Sequence, residues 1–140
     1  MLRMTAAELE QFISEVFPQA EGHSHITHLS EDRLELRMPY REAMLRPGGT
    51  ISGPALMTLA DTGAYYLILA NLGRVALAVT TSLNINFMRK PQPEDVLAVA
   101  RMLKLGRQLA VVEVNMRSAS SSALVAQATV TYSIPPAKAE

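Results

Sequence analysis

The sequence predicts one α+β domain, in which an antiparallel sheet wraps around a single long central helix. Three observations predict it. Residues 47–73 form a long, mostly apolar segment with helical spacing, strand-like runs stand on both sides of it, and the 140 residues are 49% hydrophobic. This length and composition suit one globular domain with a sizeable core. We therefore predict a single domain over residues 1–140.

The central helix has well-marked ends. Ser52 and Gly53 are typical cap residues, Pro54 suits the first helical position, and Gly73 fits the stop. At 100° per residue, one face of the helix carries a stripe of apolar and small residues: Leu56, Leu59, Ala60, Gly63, Leu67 and Ala70. Most of the remaining circumference is apolar or aromatic too, so we expect burial on more than one side.

Between Arg46 and Arg74, the only side chain charged at neutral pH is that of Asp61. An ionised carboxylate is expensive to bury without partners, so it is paired, hydrated, protonated or functional. Two interpretations stay open from the residues alone. Asp61 is either a structural acid that bonds a hydroxyl or a backbone amide, or a reactive group.

The remaining elements follow from periodicity and turn residues. A capping box at Thr5 opens a helix over residues 6–16. Strands are predicted over 25–30 and 33–38 before the central helix, and over 76–88, 96–105, 109–118 and 123–134 after it. His23 and His25 share a strand face, but no third ligand is near, so we interpret them as surface residues rather than a metal site. No cofactor is predicted.

Charge and composition exclude several classes of partner. Thirteen basic and thirteen acidic residues cancel, so neither nucleic acid nor a membrane surface is indicated. A membrane span needs roughly 20 apolar residues and would bury Asp61 at a cost of about 2.5–3.5 kcal/mol, so a protein core is favoured. The chain has no cysteine, and its start lacks the apolar run of a signal peptide. We expect a cytoplasmic protein.

Several motifs resemble those of one enzyme family. They are Gly48-Gly49, Ser52-Gly53, Leu59-Ala60-Asp61, the run from Thr80 to Phe87 with Pro91, and Gly106-Arg107 before Val111. The chain resembles the hotdog-fold acyl-CoA thioesterases, in particular the phenylacetyl-CoA thioesterase-like (PaaI-type) group. The match covers nearly the whole chain and is closest over residues 47–133.

The resemblance implies hydrolysis of acyl-CoA at two sites on a dimer interface, each drawing on both chains. Asp61 falls on the family's general base or nucleophile, and the Gly53 amide would hold the thioester carbonyl oxygen. Thr80 matches a small hydroxyl residue that positions the carboxylate or the attacking water. The resemblance also implies a homodimer whose sheets join edge to edge, often paired again into a tetramer.

The chain departs from the family pattern at two positions. Ser52 stands where the family usually has histidine, and it is included among the predicted catalytic residues. Arg46 stands where an asparagine is often found. The alternative hypothesis is therefore a non-catalytic protein that binds or senses acyl-CoA on the same fold.

Further residues are candidates for contact with the substrate. Arg46, Arg89, Lys90 and Arg107 are cations that could meet the phosphates of coenzyme A, although charges at strand ends are commonly just solvated. Met57 and Tyr65 could line an acyl pocket, or could be ordinary packing residues. Because Met57, Ala64, Tyr65 and Ile68 point away from the predicted stripe, we expect a second chain to cover that side of the helix.

Overall fold

The computed structural model describes residues 1–20, 22–75 and 77–136. Two α-helices and six strands account for most of this part of the chain, and two short 3-10 turns (Pro18–Ala20 and Glu42–Met44) link them. In chain order the elements are α1 (Ala6–Val16), β1 (His25–Leu29), β2 (Arg33–Met38), α2 (Gly53–Leu72), β3 (Val79–Phe87), β4 (Val96–Leu105), β5 (Leu109–Ser118) and β6 (Leu124–Ser133).

The six strands form one antiparallel sheet in the order β1-β2-β4-β5-β6-β3. The predicted α+β architecture is confirmed, since the sheet packs around α2 and carries the apolar stripe of that helix in its core. Strand β3 starts later than residue 76, the predicted start, and Ala76 itself lies outside the described residues. Strand β3 pairs only with β6, so it is an edge strand, and most of its residues are exposed.

Gly63 marks the closest approach of α2 to the sheet. A Cβ atom added there would lie 3.6 Å from the Cβ of Ala100 and 3.7 Å from Cδ1 of Leu36, which is ordinary van der Waals contact. The position therefore has room for one methyl group and no more.

Replacing Gly63 by a small residue and by a large residue tests this limit on size. We expect Gly63→Ala to raise the free energy of unfolding by about 0.5–1 kcal/mol, because alanine has the higher helix propensity and fits the gap. Gly63→Leu should lower it by about 1–3 kcal/mol through overpacking. Urea denaturation of the two variants measures both values. A loss of stability in the alanine variant would contradict the packing described here.

The side of α2 that faces away from the sheet is largely covered within the same chain. Ala64 and Ile68 are both fully buried, so our expectation that a second chain covers them is wrong. Helix α1 packs against α2 and buries its own apolar face. Met57 stays 41% exposed and Tyr65 half-buried, so part of the helix surface remains open. Among the described residues, no helix has the length and hydropathy needed to cross a membrane.

Candidate active site

A carboxylate near the middle of α2 accepts hydrogen bonds from two hydroxyl groups. The hydroxyl of Thr80 donates to Oδ1 of Asp61 at 2.6 Å, and the phenol of Tyr132 donates to the same oxygen at 2.7 Å. Because both side-chain bonds end on Oδ1, Oδ2 of Asp61 has no hydrogen-bond donor among the described residues. The arrangement fixes one carboxylate oxygen and leaves the other for water or a ligand.

Strand pairing brings the two hydroxyl groups together. Thr80 of β3 is the cross-strand neighbour of Tyr132 of β6, and the register shifts between Thr80 and Ser82. An irregularity of this kind turns the side chains next to it and increases the local twist. The polar cluster thus joins α2, β3 and β6. A bond between Asp61 and Thr80 is compatible with both interpretations of Asp61 that the sequence left open.

Tyr132 was not singled out from the sequence, although its strand was predicted. Burial raises the pKa of the Tyr132 phenol far above its usual value, and the Asp61 carboxylate raises this pKa further. The phenol is therefore protonated and acts as a donor at physiological pH. Its ring stacks on Tyr65, with 5.7 Å between ring centroids and 19° between planes. Burial also raises the pKa of the Tyr65 phenol.

Two cavities flank the carboxylate. The first, which we call the Asp61 cavity, measures about 330 Å³ and is lined by Asp61 with Phe17, Gln19, Ala20, His23, Met57, Thr58, Thr62 and Leu83. The second, the Tyr65 cavity, measures about 470 Å³ and is lined by Val16, Phe17, Tyr65, Leu77, Ala78, Val79, Thr80 and Tyr132. Met57 and Tyr65, the two predicted acyl-pocket residues, therefore lie on different sides of Asp61.

The start of α2 is built as the sequence predicted. The hydroxyl of Ser52 accepts a hydrogen bond from the backbone N–H of Ala55 at 3.3 Å, so Ser52 is the N-cap, and Pro54 lies in the first turn. Gly53 is the first helical residue, where backbone N–H groups have no partner in the helix and carry partial positive charge. A Cβ at this position would lie 3.3 Å from the ring of Phe87, so a larger residue would displace that ring.

Three cations gather beside this helix start. Arg46, Arg89 and Lys90 line one cavity of about 420 Å³, which we call the basic cavity, together with Thr50, Ile51, Gly53, Leu56, Phe87, Met88 and Pro91. The sequence suggested each cation separately, and the structure brings these three together. Arg107 does not join them, because it lies in the exposed turn between β4 and β5 and lines neither this cavity nor the two beside Asp61.

The histidines form no metal centre. Within residues 1–20, 22–75 and 77–136, no group of three or more potential ligands could hold a metal ion. His25 is exposed, whereas His23 is half-buried and lines the Asp61 cavity. Burial, followed by the charge of Arg41, lowers the pKa of His23, so its imidazole is neutral at pH 7. Our interpretation of His23 as a surface residue is therefore incomplete, because this side chain is half-buried and lines a cavity.

Comparison with known proteins agrees with this geometry. The family model described as "Thioesterase superfamily" matches residues 48–132, which include α2, the Asp61 cluster and all of the basic cavity except Arg46. The match spans more than half of the chain. The chain therefore belongs to the thioesterase superfamily, and its six-stranded sheet and long helix are the hotdog fold that the sequence motifs indicated.

Solved structures and curated relatives support the assignment. A candidate thioesterase from Silicibacter sp. TM1040 is 47% identical, with a TM-score of 0.91 over 97% of this chain and 95% of that one. A candidate thioesterase from Ralstonia eutropha JMP134, described as related to phenylacetic acid degradation, is 25% identical, with a TM-score of 0.78 over 88% and 98%. A candidate esterase from Thermoplasma acidophilum is 27% identical over 64% of this chain and 67% of its own length.

Proposed function

We propose that this protein hydrolyses acyl-CoA thioesters to a free acid and coenzyme A, as a member of the PaaI-type group. The observation that carries the proposal is the Asp61 carboxylate, which accepts two hydroxyl donors on one oxygen and lines a cavity. A purely structural carboxylate would gain nothing from an open cavity beside it. Family membership supports hydrolysis in general, and the site supports Asp61 as the group that performs it.

Thioester chemistry suits a site with a single carboxylate. The thiolate is a good leaving group, so a base or nucleophile and an oxyanion donor can suffice. As a base, Asp61 takes a proton from water through Oδ2 while the water oxygen attacks the carbonyl carbon. As a nucleophile, Oδ2 attacks that carbon itself, and water then hydrolyses the acyl-enzyme anhydride. In both routes the carbon–sulfur bond breaks and the coenzyme leaves as a thiolate that takes up a proton.

The oxyanion donor in this proposal is the backbone N–H of Gly53. A helix N-terminus stabilises developing negative charge, and removing one such donor typically costs about 3 kcal/mol. Gly53 and Asp61 are eight residues apart, which is about 12 Å along the helix axis. One carbonyl group cannot contact both, so we propose that Asp61 of one protomer works with Gly53 of a partner.

Strand β3 supplies a way to form this shared site. Its Thr80 end contacts Asp61, and the ring of Phe87 at its other end packs against Gly53. If two β3 edges pair antiparallel about a two-fold axis, the Thr80 end of one chain faces the Phe87 end of the other. The exposed edge and the open surface around Met57 support such a homodimer. The association of two dimers into a tetramer, which the family resemblance implies, stays a prediction.

The basic cavity is proposed to hold the phosphates of coenzyme A. Arginine and lysine form charge-assisted hydrogen bonds to phosphate oxygens, and three such cations lie around the Gly53 helix start. The pantetheine arm, which separates these phosphates from the thioester, would then have to reach from the cations to the reacting carbonyl group. Arg46, which replaces the family's asparagine, would then bind substrate instead of positioning water.

Removing these cations should weaken the binding of coenzyme A esters specifically. We expect the triple variant Arg46→Gln, Arg89→Gln, Lys90→Gln to raise KM for acyl-CoA by about tenfold or more. Hydrolysis of the matching acyl-pantetheine ester, which lacks the nucleotide phosphates, should be unchanged. Lys104→Gln, an exposed cation of β4, is the matched control. An equal loss on both esters would contradict the assignment of the basic cavity.

A thiol-release assay over short, long and aromatic acyl-CoA esters tests the proposed function. The alternative, an acyl-CoA binder without activity, is favoured by one observation: the residue in place of the family's histidine, Ser52, uses its hydroxyl oxygen to cap α2. We expect release of coenzyme A from at least one class of ester. Tight binding of coenzyme A without release from any ester would favour the binder instead.

A further inference from the structure

The Asp61 carboxylate has a second hydroxyl donor that no sequence motif pointed to. We propose that Tyr132 is a positioning residue: together with Thr80 it holds Oδ1 of Asp61 on the protein side, so that Oδ2 is the oxygen that reacts. This inference rests on the proposed function, because it assigns a role within hydrolysis by Asp61. The two donors come from different strands and meet at one oxygen, at 2.6 and 2.7 Å.

The geometry fixes the orientation of the carboxylate. Tilting the group away from this orientation would weaken both hydrogen bonds at once, whereas a single donor would leave it free to turn about one bond. The Tyr132 hydroxyl also lies 3.3 Å from the backbone carbonyl oxygen of Asp61, which ties it to the helix. Stacking on Tyr65 fixes the ring, and pairing with Thr80 fixes its strand.

The same contacts have an electrostatic consequence. A hydrogen bond donated to a carboxylate favours its charged form, which is the form that acts as base or nucleophile. The titratable groups that face Asp61 are Tyr132 on β6, Tyr65 on α2 and His23, which lines the Asp61 cavity; no lysine or arginine among the described residues lines this cavity or the Tyr65 cavity. Loss of the Tyr132 phenol should therefore remove one of the two donors that stabilise the reactive form of Asp61.

The variant Tyr132→Phe tests the proposal, because it removes the hydroxyl and keeps the stacked ring. We expect kcat to fall by about ten- to a hundredfold, the range for losing a hydrogen bond to a charged group, with KM nearly unchanged. A purely structural role for the hydroxyl would instead lower stability without this split between kcat and KM. Tyr66→Phe, which removes a buried phenol on the α1 side of α2, is the matched control and should change neither value.

A further variant separates the effect of the Tyr132 hydroxyl from misfolding. Site-specific 3-fluorotyrosine at position 132 keeps the stacked ring while making the phenol a stronger donor to Oδ1 of Asp61, so kcat should stay at or above the native value. This variant also serves if Tyr132→Phe fails to fold.

Three results would overturn the proposal: kcat unchanged in Tyr132→Phe, a loss of activity that comes from a raised KM alone, or a kcat that 3-fluorotyrosine lowers. Each is distinct from a failure of the proposed function. If Asp61→Asn stays fully active, the proposed function fails. If Asp61→Asn is inactive while the Tyr132 variants behave as the native chain, only the positioning role fails.

Discussion

Asp61→Asn should lose most of its turnover of acyl-CoA esters while remaining folded. The amide cannot take a proton from water or attack a carbonyl, and a positioned acid or base typically contributes about 10²–10⁴ to the rate. Its oxygen can still accept the hydrogen bonds of Thr80 and Tyr132, so the polar cluster is preserved. We expect kcat to fall by about a thousandfold, as measured by thiol release, with a melting temperature close to that of the native chain.

Asp32→Asn provides the control for this prediction. It removes a carboxylate from the exposed turn between β1 and β2, far along the sheet from β3, and should leave turnover unchanged. Native turnover in a folded Asp61→Asn protein would contradict the assignment of Asp61 as base or nucleophile. In that case Asp61 would be a structural residue, whose carboxylate only joins α2 to β3 and β6.

Asn84→Lys should abolish both the proposed dimer and its turnover. Asn84 lies near the middle of the exposed edge strand β3, where an antiparallel two-fold pairing would bring the two copies of residue 84 close together. A lysine there opposes strand pairing, and two like charges across the axis repel. We expect a monomer in sedimentation and a loss of acyl-CoA hydrolysis of at least about a hundredfold, because the oxyanion donor of the partner is removed.

The other edge of the sheet supplies the matched control. Thr27→Lys adds the same charge to an exposed position of β1, beside the register shift between Ile26 and His28. This variant should keep the native oligomeric state and activity. A stable Asn84→Lys monomer that still hydrolyses thioesters would show that the site is complete within one chain.

The sequence predicted those features that depend on neighbouring residues. Both ends of α2 were predicted correctly, because the cap at Ser52 and the stop at Gly73 are formed by the adjacent backbone. The helix α1 was predicted for the same reason, through its capping box at Thr5. The contact of Asp61 with Thr80 was anticipated through the family resemblance, which gave Thr80 as a residue that positions either the carboxylate or the attacking water.

Features that depend on contacts between residues far apart in the sequence were not predicted. Tyr132 reaches Asp61 only because β6 lies between β5 and the edge strand β3, an order that periodicity does not reveal. The contact of Phe87 with Gly53 has the same origin. Ile68 was expected at an interface, but helical periodicity shows only that a face is apolar, and here Ile68 is fully buried within its own chain.

Mixing two variants that each disable one half of the proposed site, assayed at acyl-CoA concentrations far below KM, would test most directly the central claim that Asp61 and the basic cavity of different protomers form one site. One variant is Asp61→Asn, and the other is Arg46→Glu, Arg89→Glu, Lys90→Glu. If the site is shared, each mixed dimer has one site with both defects and one with neither. Co-refolding equal amounts should then restore about a quarter of native acyl-CoA turnover. Mixed dimers that form, as shown by copurification through a tag on one variant, yet remain inactive would contradict the claim.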